Sequence, residues 1–209
     1  MKPFFDINRW KSLLKSWKAL FIYAFGDEDR ALHEFENCLK LDPKNGSNLV
    51  TLGKILVSKE NYSEGLERLE EALKYLKDNK SLPEVFAYIA YSYYNLRRLE
   101  DAVLFYRKAI DTWIKDSDFK KTDLFYGLGR IYLKQNKYED AIRVFKKGLN
   151  LQNKEPLIYF GLGVAYYETG QEEDSKYYLD FAKSLDPKLK DNEAMRILIN
   201  ELGSSIPIH

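Results

Sequence analysis

Two stretches of this chain copy each other at a distance of 34 residues. Tyr126, Leu128, Gly129, Tyr132, Ala141, Phe145 and Gly148 recur as Phe160, Leu162, Gly163, Tyr166, Ser175, Leu179 and Ala182. A small residue, an aromatic three places on, a second small residue nine places later and a large apolar residue four beyond that is the pattern of two packed antiparallel helices. The physics is steric, because such helices approach closely only where a side chain is nearly absent. A single pair leaves an apolar face bare, so each copy needs a neighbour.

The pattern runs back toward the N-terminus. The small residue of the first helix recurs as Ala19, Gly53, Ala90, Gly129 and Gly163, and that of the second as Ala31, Gly65, Ala102, Ala141 and Ser175. Both series step by 34, 37, 39 and 34, so insertions of 3 and 5 residues lie between copies and not within them. Five copies follow, over 12–45, 46–82, 83–121, 122–155 and 156–189. Local chemistry agrees. Acidic runs such as Asp27-Glu28-Asp29 and Glu172-Glu173-Asp174 suit helix N-termini. Pro83 and Pro156 sit where first helices begin, and Pro43 and Pro187 disfavour helix in the residue before them.

On these residues the chain resembles the tetratricopeptide repeat family over about nine-tenths of its length. The resemblance implies an all-α, right-handed superhelical solenoid of five helix–turn–helix repeats, whose first helices line a concave groove that holds another polypeptide. Around the repeats, residues 1–11 are expected to form an N-terminal cap, 190–202 a closing helix with Ala194, Ile197, Leu198 and Leu202 on one stripe, and 203–209 a tail. Some positions depart from the pattern. Lys15 and Lys18 stand where apolar residues are usual, so the first helix is expected to be displaced or merged with the preceding residues. Gly65 costs a helix roughly 1 kcal/mol against alanine. The Ser175 hydroxyl is expected to bond back to a carbonyl one turn earlier.

Composition narrows the function. With 33 basic and 32 acidic side chains, binding to nucleic acid through bulk charge is excluded. The longest apolar run, Ala19–Phe25, is too short to span a membrane, and the chain reads as cytoplasmic. One cysteine allows no internal disulfide framework. No constellation for catalysis, metal or cofactor stands out. His33 reads as part of a solvated helix face, Cys38 fills a slot taken by Ala72, Ala109, Gly148 and Ala182 in later copies, and Gly127-x-Gly129 has no preceding strand to make a phosphate loop.

The groove wall is expected beside the small packing residue and about one turn to either side. This selects Lys54, Tyr91, Tyr94, Tyr126, Arg130, Leu133, Phe160 and Tyr167, with Ser16, Leu20, Tyr23, Val50, Val57, Ala87 and Val164 completing the five helices. Such a wall suits a peptide with apolar anchors and some negative charge. The lysine–asparagine–arginine clamp that some family members use for a C-terminal carboxylate is missing. A self-assembling scaffold and an accessory subunit docked by its convex face are the other readings. At the N-terminus Trp10 and Trp17 share a helix face, expected to be buried against the first repeat; contact of this basic, aromatic stretch with a membrane surface is the alternative.

Overall fold

A computed structural model describes residues 7–76, 80–113, 120–151 and 154–188. Among these residues there are ten α-helices and no strand. They are α1 Ile7–Ala24, α2 Glu28–Leu41, α3 Gly46–Ser58, α4 Tyr62–Leu73, α5 Leu82–Asn95, α6 Leu99–Thr112, α7 Lys121–Lys134, α8 Tyr138–Leu149, α9 Pro156–Glu168 and α10 Glu172–Leu185. The expected closing helix, 190–202, and the expected tail, 203–209, lie outside the described residues, as do residues 1–6 of the expected cap. The chain divides into two compact units, residues 1–101 and 102–209, with the boundary inside the first turn of α6.

Each short turn inside a helix pair places one residue in the left-handed region. These residues are Gly26, Glu60, Arg97, Asn136 and Gly170, with φ of 83°, 62°, 64°, 58° and 73°. They step along the chain with the same spacing as the small packing residues. Glycine and asparagine adopt this conformation readily; for Glu60 and Arg97 it is strained. Glu60→Gly and Arg97→Gly are therefore each expected to raise the stability of residues 1–101 by about 0.5 kcal/mol, relief of strain outweighing added freedom of the unfolded chain. Urea unfolding checks this, and a loss of stability in both would refute the strain argument.

In residues 1–101, α1 packs on α2, α2 on α3, α3 on α4, and α5 on both α3 and α4. Ala19, Ala31, Phe35, Leu52, Ile55 and Leu56 form a core with Ile22, Tyr23, Leu32 and Leu39 packed against it. Gly65 has a use that its helix propensity hides. A Cβ there would lie 2.7 Å from Val57 Cγ2 and 3.0 Å from the Gly53 carbonyl oxygen, and one on Gly53 would lie 3.1 Å from the Gly65 carbonyl oxygen. The two glycines let α3 and α4 touch backbone to backbone.

α1 is a single 18-residue helix that absorbs the last part of the expected cap. Its inner face is small and polar. Ser12, Ser16 and Ala19 are buried; Asn48 Nδ2 donates to Ser16 Oγ at 2.8 Å, and Ser16 Oγ donates to the Ser12 carbonyl at 2.8 Å. The outer face carries Trp10, Leu14, Trp17, Phe21 and Phe25, all exposed. The expectation that Trp10 and Trp17 are buried is thus corrected: α1 spends its small residues on close contact with α2 and α3, and its large apolar residues point away.

In residues 102–209, α7 packs on α8, α8 on α9, α9 on α10, and α7 on α9. Phe145 is fully buried, and its ring fills the space left by the missing side chains of both Gly129 and Gly161. The Ser175 hydroxyl does not bond within its own helix. It donates across the pair to the Gly163 carbonyl at 2.8 Å, where α9 and α10 cross closely at the two small residues.

Candidate interaction surface

The first helices α1, α3, α5 and α7 expose one strip. Measured from the small packing residue, its positions are two before, one after and five after. In α3 these are Thr51, Lys54 and Ser58, in α5 Tyr88, Tyr91 and Asn95, and in α7 Gly127, Arg130 and Lys134, all partly or fully exposed. In α1 the same positions hold Trp17, Leu20 and Ala24, also exposed. Positions three before and four after turn inward in most helices. Tyr94, Leu133 and Phe160 are therefore buried, with Ser16, Val50, Val57 and Ala87; Val164, one after Gly163 in α9, is buried too. Lys54, Tyr91, Tyr126, Arg130 and Tyr167 remain partly exposed. A step of three or four residues stays on one side of a helix, but those three before and four after the small residue lean toward neighbouring helices.

On residues 1–101 the strip is organised by one ion pair. Lys54 Nζ lies 2.6 Å from Glu84 Oε1, and the ammonium also sits 5.4 Å from the Tyr88 ring centroid. Burial opposes the charge on Lys54, but the hydrogen bond and field of Glu84 outweigh it and hold the ammonium above its ordinary value. Burial likewise pushes the Tyr88 hydroxyl up. Tyr91 meets Tyr62 edge to face at 6.0 Å between ring centroids. Lys54 therefore has an acidic partner of its own within the wall. A cleft of about 840 Å³ opens beside the strip, with Leu13, Trp17 and Leu20 on one side and Ser47, Asn48 and Lys74 on the other.

On residues 102–209, Tyr126 lies with its ring 6.4 Å from Phe145, and Arg130 and Tyr167 are partly exposed. An aromatic cluster that the repeat pattern gave no reason to single out joins α9 and α10. Tyr166 stacks on Tyr178 at 5.3 Å, Tyr159 packs on Phe181 at 4.5 Å, and Tyr177 at its edge is exposed.

Family profiles described as "TPR repeat" and "Tetratricopeptide repeat" match residues 129–170 and 50–117, together more than half of the chain. The chain belongs to the tetratricopeptide repeat family. It is 27% identical over 179 residues to a TPR repeat-containing protein of Methanocaldococcus jannaschii, an alignment that covers 81% of this chain and 32% of that protein. It is 26% identical over 204 residues to the protein CTR9 homolog of Arabidopsis thaliana, covering 79% and 18%. The chain thus spans about a third or less of the length of these relatives. Among solved structures it resembles the MamA protein, with a TM-score of 0.71 at 20% identity over 87% of this chain and 95% of that one. It also resembles YrrB, described as a TPR protein with an unusual peptide-binding site, with a TM-score of 0.65 at 19% identity over 88% and 89%. These likenesses show the fold.

Tetratricopeptide repeats in general serve protein–protein interaction. Cys38 is fully buried, and that burial pushes its thiol up, away from the nucleophilic form. His33 lies on the exposed face of α2. Among the described residues no three side chains of metal-ligating type come together, and no helix is long and apolar enough to cross a membrane.

Proposed function

We propose that this chain is a non-enzymatic binding module that takes a segment of another polypeptide on its first helices, with Tyr88, Tyr91 and Lys54 of the strip as contacts on residues 1–101, and Arg130 of the strip with the partly exposed Tyr126 and Tyr167 on residues 102–209. The observation that carries the proposal is the chemistry of the strip. On α5 it is tyrosine where a merely solvated face would be charged, and on α1 it is Trp17 and Leu20, which line the cleft. Tyrosine gives contact area and a hydroxyl at low entropic cost. The peptide-binding site described for YrrB supports this use of the fold.

A random peptide library selected on the whole chain tests it. Selected peptides are expected to carry apolar anchors with an acidic neighbour. Tyr91→Ala, Tyr126→Ala and Arg130→Ala are expected to weaken them, by about 30-fold where the side chain is central, with helicity unchanged. Peptides that bind all three folded variants as tightly as the wild type would move the site elsewhere.

A further inference from the structure

The outer face of α1 is not used by that proposal. It runs from Trp10 through Leu14 and Trp17 to Phe21, about 17 Å of helix, with Phe25 just past the helix end. Leu14 is 71% exposed, Trp17 73% and Phe21 66%. One flank of this ridge carries Lys11, Lys15 and Lys18. The helix contains no acidic residue, although acids and bases balance over the whole chain. Lys18 is bonded to Glu34 of α2 at 2.7 Å, which holds the Glu34 carboxyl below its ordinary value; no hydrogen bond or ion pair to Lys11 or Lys15 is seen among the described residues.

The repeat itself says what should cover such a face, and α1 departs from it. The positions of Leu14 and Phe21 are filled in later first helices by buried residues, Leu124 and Ile131 in α7, Ile158 and Ala165 in α9. A preceding helix pair, or a second copy stacked in the same way, would cover them. The positions of Lys15 and Lys18 hold Leu49 and Leu52 in α3 and Phe125 and Leu128 in α7, all buried, whereas on α1 both lysines are exposed beside the ridge. Stacking an apolar pair on that ridge would bring their ammonium groups to the edge of a dry contact, a costly exchange. Two α1 helices facing each other would bring like charges together. A ridge of tryptophan, leucine and phenylalanine with lysines on its flank fits instead a surface that is apolar below and anionic above.

We infer that the outer face of α1 docks in the interface of an anionic phospholipid bilayer, with Trp10, Leu14, Trp17, Phe21 and Phe25 among the upper acyl chains and Lys11 and Lys15 at the phosphates. The rest of the chain stays in water, held at the surface by one interfacial helix.

The test uses the whole chain with Trp113→Phe, which leaves Trp10 and Trp17 as the fluorophores. Vesicles of equimolar phosphatidylcholine and phosphatidylglycerol are expected to sediment the protein at low salt, blue-shift its fluorescence, and lose it at high salt. Pure phosphatidylcholine vesicles are expected to bind it at least tenfold more weakly. Lys11→Gln and Lys15→Gln are each expected to reduce partitioning about fivefold. Leu14→Ser with Phe21→Ser is expected to abolish the blue shift, and because both side chains are exposed the variant keeps its helicity. Three results would overturn the inference: no binding to the anionic vesicles, binding without a tryptophan shift, or binding that both sets of variants leave intact. A mass in light scattering that doubles with concentration and reverts in the Leu14→Ser, Phe21→Ser variant, without vesicle binding, would assign the face to a second copy.

Discussion

Replacing Phe145 with alanine is expected to cost residues 102–209 about 3–5 kcal/mol, the range for truncating a buried aromatic. The ring is fully buried on α8 and occupies the notches of Gly129 on α7 and Gly161 on α9. One side chain therefore joins three helices, and its loss leaves a cavity that helices in direct backbone register cannot easily close. Chemical denaturation with hydrogen exchange resolved along the chain checks it, with protection expected to fall over α7–α9 more than over α3 and α4. The notch adds a second expectation. Gly129→Ala should destabilise the wild type by overlap with the ring, and should cost less once Phe145 is gone. The two changes would then be non-additive. Additive costs would mean that Gly129 is small for another reason.

Gly65→Leu is expected to destabilise residues 1–101 by about 3 kcal/mol, the upper end for overpacking. Only half of the obstruction is a side chain that can turn. The Gly53 carbonyl oxygen at 3.0 Å is backbone, and it can retreat only if α3 moves off α4. Gly65→Ala separates this from helix propensity. Propensity alone would make that change stabilising by roughly 1 kcal/mol, whereas the contact predicts a loss. Thermal unfolding of the two variants decides the sign.

The architecture was legible because the repeat constrains it twice. Small residues at Ala19, Gly53, Ala90, Gly129 and Gly163 mark the crossings, and the same spacing reappears in the left-handed turn residues. Pro156 begins a helix, Leu41 and Leu185 end helices before the Asp–Pro pairs, and Asp27 caps α2 by accepting from the Arg30 amide at 3.1 Å, all of which are local events. The interaction strip was less legible. A one-residue error of phase rotates a helix by about 100°, enough to put Tyr94, Leu133 and Phe160 on the wall when they belong to the interior. The partner of Lys54 was out of reach too, since Glu84 lies 30 residues away and meets it only through the stacking of α3 and α5. The Ser175 hydroxyl and the outer face of α1 share a cause. Both depend on which helix lies opposite, and a pattern averaged over repeats does not say that.

The position of the unit boundary bears on how the chain can be dissected. Cutting between the repeats, after residue 121, would look natural from the sequence. It would also strip α6 from the helix it serves. The Tyr106 ring lies against Gly127 of α7, and Arg107 Nη2 donates to the Tyr132 hydroxyl at 2.7 Å. A fragment beginning at α7 would present that bare glycine surface to water and invite aggregation during expression. The turn at Arg97, just ahead of α6, is the better place for a protease site, a split-reporter junction or a truncation. A fragment starting there keeps α6 against α7.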